Sequence, residues 1–209
     1  MPKARTFIYQ GNQQADFIDE WKGAFNIETF LDDQFVIQSK SILYLRDGAQ
    51  WYRGLASPFY LDDAIHFGRI GQKKSHQKYQ KVRIFTFPRE MIYQDEWSLD
   101  YIQKKRIKDF TYDIQGKYQL SIQRGDVLLN QLESLGLQLG TIPFLDFSKR
   151  MNGFIQHDII QLLANIEPQF IKSRIEDLKK QIQSNVTQRF HNLGLEVEGF
   201  EIEFILSKR

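Results

Sequence analysis

Apolar positions in this chain recur with a period of two in its first half and of three to four in its last third. Runs rich in Phe, Val, Ile and Tyr predict strands near 34–39, 41–46 and 49–55. Asp47-Gly48 lies between the second and third of these, and both residues tolerate the positive φ that a two-residue hairpin turn requires. Ser57-Pro58 predicts a turn. A further strand is expected over 82–87, ended by Pro88, which has no N–H to give to a ladder. A weaker strand is expected at 91–93. A longer one is expected near 110–122, where Tyr112, Ile114, Tyr118, Leu120 and Ile122 share one parity around Gly116.

The period then lengthens. Residues 126–137 read as a short helix. Over 147–166, Met151, Ile155, Ile159, Leu162 and Ile166 form one apolar stripe, with Ser148 or Asp146 as its cap. Glu167-Pro168 separates this helix from a second over about 170–192, striped by Ile175, Leu178, Ile182, Val186, Phe190 and Leu193. Gly194 is placed to end it. The chain returns to period two, with Phe200, Ile202, Phe204 and Leu206 alternating with Glu201, Glu203 and Ser207. Leu195 and Val197 have the opposite parity, which predicts a bulge at Gly199. Strands, then helices, then one more strand argue an α+β fold, a mostly antiparallel sheet covered by C-terminal amphipathic helices.

Near the start, Phe17, Trp21 and Phe25 stand at i, i+4 and i+8, a helical stripe weakened by Gly23. With Ile18, and with Asp16, Asp19 and Glu20 against a single Lys22, this stripe suits a protein groove better than an anionic bilayer. The organisation expected is therefore an N-terminal segment, 1–25, that docks on its own domain or on a partner, followed by one domain over 26–209. Phe17, Trp21 and Phe25 are the candidate partner-binding residues.

Composition narrows the chemistry. The 209 residues carry 28 Lys and Arg against 26 Asp and Glu, a net charge of +2, so the overall balance points away from a nucleic-acid partner. With no cysteine, disulfides, zinc ribbons, iron–sulfur clusters and thiol catalysis are excluded, which fits a reducing cytoplasm. Met1 to Asp19 carries Gln, Asn and Asp where a signal peptide needs an unbroken apolar run, and no stretch is apolar for long enough to span a bilayer. The histidines, His66, His76, His157 and His191, are scattered away from metal-ligand spacing. No phosphate-cradling loop or nucleophile elbow is present. Asp32-Asp33, Asp62-Asp63 and Asp95-Glu96 read as turn and cap residues. No catalytic residue, metal ligand or cofactor site is nominated.

One charge cluster stands out. Over 69–83, Arg69, Lys73, Lys74, Lys78, Lys81 and Arg83 occur with no acid among them, interleaved with Gln, Ser, His76 and Tyr79. The bland reading is a solvated loop. The functional one is an anion contact through Lys73, Lys74 and Lys78, joined by Lys104, Lys105, Arg106 and Lys108.

The order of these features resembles a known family. Residues 26–61, with the beat Asp33-Gln34-Phe35-Val36, the turn Asp47-Gly48 and the close Ser57-Pro58-Phe59-Tyr60-Leu61, are similar to the opening of the SPFH or band 7 domain of stomatins, prohibitins and flotillins. Gly194, Leu195, Val197, Phe200 and Ile202 match that family's junction between last helix and last strand. Residues 82–99 and 110–123 resemble the middle strands of its soluble bacterial, virion-core-like branch. The resemblance implies an SPFH-like scaffold that self-associates or recruits protein partners, in the cytoplasm or peripherally at a membrane, rather than an enzyme. The alternative is a module that binds nucleic acid or acidic lipid through 69–83.

Overall fold

The structure, a computed structural model, describes residues 6–9, 16–26, 34–37, 41–47, 50–53, 59–60, 81–88, 91–103 and 110–207. It is an α+β protein whose chain divides into two units, one of residues 1–91 and 122–144, the other of 92–121 and 145–209.

The first unit holds most of the strands. β1 (Thr6–Tyr9), β3 (Gln34–Ile37) and β6 (Phe59–Tyr60) form one sheet in the order β1-β3-β6, with β1 and β3 parallel. A second sheet runs β10-β2-β7-β4-β5, from β2 (Asp16–Asn26), β4 (Ser41–Asp47), β5 (Gln50–Arg53), β7 (Lys81–Pro88) and β10 (Ile142–Pro143), every pair antiparallel. Asp47 pairs with Gln50 across β4 and β5, so the expected hairpin forms with Gly48 and Ala49 as its loop. The conformation of that loop, and the turn at Ser57-Pro58, lie outside the described residues.

The stripe over 17–25 is strand rather than helix. A spacing of four fits either period, because it is also a multiple of two. A helix would want an apolar residue three positions on from Phe17 as well, where this chain has Glu20. Phe, Trp and Ile favour strands, and Gly23 falls where the β2–β7 register slips between Trp21 and Ala24. Residues 16–26 are thereby tied into this unit's sheet. α1 (Gly125–Gln131) follows with Leu128 and Leu129 buried. It is shorter than the expected 126–137 because the chain turns at once: Leu137 donates to the Leu132 carbonyl at 2.9 Å, with Gly136 at φ 69°.

The second unit is a three-stranded sheet under helices. β8 (Tyr93–Gln103), β9 (Phe110–Ile122) and β11 (Leu195–Ser207) lie in the order β8-β9-β11. β8 and β9 pair antiparallel without a slip, from Tyr93 opposite Leu120 to Gln103 opposite Phe110. β8 runs far beyond the weak strand expected at 91–93. Its inward residues are Tyr93, Asp95, Trp97, Leu99 and Tyr101, and the acid in second place hides the alternation. Asp95 is no turn residue: its carboxylate accepts a hydrogen bond from Asn152 Nδ2 at 2.8 Å.

α2 (Phe144–Ala164) lies along β8 through that bond and through Gln156, whose Nε2 donates to the Ser98 carbonyl at 2.8 Å. Its buried stripe is Phe147, Met151, Ile155, Ile159 and Leu163, so Leu163 takes the place expected of Leu162. Ser148 is no cap; it is buried in the first turns and its hydroxyl donates to the Leu145 carbonyl. Pro168 opens α3 (Pro168–Ile171), and a 3₁₀ turn (Lys172–Arg174) leads into α4 (Ile175–Asn192), which buries Leu178, Ile182, Val186 and Phe190. Phe190 meets Tyr118 of β9 with ring centroids 5.1 Å apart. Arg189 ties α4 to α2, bonding Asp158 at 2.7 Å and lying over the Phe154 ring. Gly194, at φ 78°, ends α4 as expected. Among the described residues, no helix is long and apolar enough to cross a membrane.

Candidate functional site

The helices cover one face of the β8-β9-β11 sheet and leave the other to solvent. On β8 the exposed face presents Gln94, Glu96, Ser98, Asp100 and Ile102; on β9 it presents Asp113, Gln115, Lys117 and Gln119. On β11 the exposed residues are Glu196 and Glu198, then Glu201, Glu203 and Ile205, so parity changes across Gly199 where a bulge was expected. Glu201 bonds Lys117, Ser121 donates to Glu198 and Gly199 lies beside Gln119, so β11 runs antiparallel to β9.

A shallow basin of about 440 Å³ sits here, lined by Glu96, Ser98, Gln115, Lys117, Glu201 and Glu203 together with Trp97, Gly116 and Ile202. Lys117 lies between acids. It is directly opposite Glu96 in the ladder, and its Nζ is 2.9 Å from Glu201. The hydrogen bond and charge of Glu201, and less strongly the charges of Glu96 and Glu203, hold its ammonium above the ordinary lysine value. All these groups are well exposed, so the ion pair itself adds little stability.

Behind the sheet the polar groups are dry. The Tyr118 hydroxyl, Trp97 Nε1 and Asn152 Oδ1 are buried without a hydrogen-bond partner. Burial, then the nearby Asp95 charge, pushes the Tyr118 phenol far above its usual range.

The candidates from sequence fall elsewhere. Phe17 is fully buried in the first unit, 5.5 Å from the Phe144 ring, and so is unavailable to a partner as it stands. Ile18 beside it is equally buried. Trp21 and Phe25 lie in β2 opposite Ile84 and Val82; their side chains are outside the described residues. Lys73, Lys74, Lys78 and the rest of 69–80 are also outside them, as are Lys104, Lys105, Arg106 and Lys108. His157 and His191 are exposed on helices. No cluster of metal-ligating side chains occurs among the described residues. The acidic face escaped the sequence reading because its residues come from three strands far apart in the chain. The signal was the run of glutamates from 196 to 203.

A scan against family models finds none that matches the chain, and a search of curated proteins finds no match to it.

Proposed function

We propose that this chain works by binding and assembly, as a scaffold of SPFH type that organises partners at the cytoplasmic face of a membrane, and not as an enzyme. The supporting observation is the construction of β11. It is thirteen residues long and outermost in its sheet, with Leu195 and Ile202 held in the core and four glutamates exposed. An outer strand offers backbone N–H and C=O groups to a neighbour, and here it borders an exposed charged face as well.

Light scattering of the full chain over a range of concentration tests the reading: association is expected. A chain that stays monomeric throughout, yet binds anionic vesicles in a salt-dependent way lost on reversing Lys73, Lys74 and Lys78 to Glu, replaces assembly with anion binding.

A further inference from the structure

The open face of the β8-β9-β11 sheet is charged out of proportion to the chain. Among the described residues, Glu96, Asp100, Asp113, Glu196, Glu198, Glu201 and Glu203 stand there against Lys117, a net of six negative charges in a chain whose total is +2. Asp100 and Asp113 are direct partners across the β8–β9 ladder, an arrangement that lowers stability when both are ionised. Lys117 is already engaged with Glu201 and lies near Glu96 and Glu203, and among the described residues Asp100 and Glu196 have no basic partner. Glu96, Asp100, Glu196 and Glu203 are exposed in the single chain, so its own residues do not cover them. The matching charge is in the same sequence: 69–83 holds six cations and no acid, Arg69, Lys73, Lys74 and Lys78 ahead of β7 and Lys81 and Arg83 within it.

We propose that this open sheet face docks the basic segment 69–83 of a second copy of the chain. The inference rests on the assembly reading and names its interface. Face and segment are different patches, so the contact is heterologous, and each added copy brings a further face and a further segment. Opposite charges of this number guide the encounter and reject like-charged surfaces.

The test uses two variants of the full chain. Asp100→Lys with Glu196→Lys and Glu203→Lys removes the net charge of the face at exposed positions. Lys73→Glu with Lys74→Glu and Lys78→Glu removes the basic segment. The parent chain should associate at low salt and weaken by about tenfold or more at high ionic strength. Neither variant alone should show association that high salt disperses. Their equimolar mixture should form a complex that stops at two copies, because only one face and one segment remain between them. Circular dichroism establishes that each variant is folded; should the lysine triple fail to fold, the corresponding Asn and Gln substitutions replace it. Parent-like association of both variants would overturn this interface and leave assembly standing. A parent chain monomeric at every salt concentration would overturn both.

Discussion

Gly116→Ala is expected to destabilise the second unit, although alanine ordinarily improves a strand. A Cβ on Gly116 would stand 2.3 Å from Trp97 Cζ2, 2.5 Å from Cε2 and 2.9 Å from Nε1. Ordinary carbon contacts are about 3.5–4.0 Å, so the indole has to retreat by roughly 1 Å. It has nowhere easy to go, since Trp97 is 5% exposed and lies directly opposite Gly116 in an unbroken ladder. Gly116 is not among the glycines at positive φ, so backbone conformation does not demand it. Its role is to leave room for a ring. Overpacking of this kind costs about 1–3 kcal/mol, while replacing glycine within a strand returns roughly 0.5–1 kcal/mol. The net loss should be about 0.5–2 kcal/mol, read as a lower denaturation midpoint by far-ultraviolet circular dichroism. In a Trp97→Phe background the missing ring atoms relieve the clash, and the cost of Gly116→Ala should fall by about 1 kcal/mol. Gly116→Ala as stable as the parent, or equally costly in both backgrounds, would refute the steric argument.

Three further outcomes follow from the same unit. Leu178→Ala should lose about 2–5 kcal/mol in a denaturant titration, because Leu178 is 3% exposed and its truncation leaves a cavity; a loss under about half a kilocalorie would mean that α4 does not face the sheet. Tyr118→Phe should be neutral or stabilising, since it deletes a buried hydroxyl that has no partner. It should also reduce alkaline unfolding: a phenol whose pKa is raised on folding contributes stability in full below its unfolded value near 10, and loses it as pH rises beyond that, so stability against pH in the 10–12 range should fall less steeply in the variant. Gly194→Ala, at φ 78°, should cost about 1–2 kcal/mol, seen as a lowered thermal midpoint.

What could be read from sequence was what repeats locally. The stripe Leu178, Ile182, Val186 and Phe190 and the strand Phe110–Ile122 show in their own spacing, and both occur as expected. Local pattern failed where a tertiary contact supplied the reason. Asp95 breaks the alternation of β8, and only Asn152, far along the chain on α2, makes an inward carboxylate tolerable. The 17–25 stripe has a spacing common to helix and strand, so the choice fell to pairing with β7, which no window around residue 20 contains. For the site the difficulty was greater. No short stretch of β8 or β9 is notably acidic, and the charge becomes a face only when three strands are laid side by side.

The acids of β11 bear on how copies can meet. An outer strand of thirteen residues invites the same strand of another molecule, the simplest symmetric contact. Here that contact brings Glu196, Glu198, Glu201 and Glu203 of one copy against the same four of the next, and like charges across a ladder are unfavourable. The same residues attract a cationic segment. Protection of the edge and recruitment to the face are therefore one device: the glutamates discriminate between two ways of associating, by repulsion in one and attraction in the other. Neutralising them should not simply abolish association. With Glu196, Glu198, Glu201 and Glu203 all changed to Gln, the salt-sensitive contact weakens while strand-to-strand pairing loses its barrier, so the variant should show association that high salt no longer disperses. Scattering measured across ionic strength separates the two modes, and a variant that stays monomeric at high salt would show that β11 was never a usable edge.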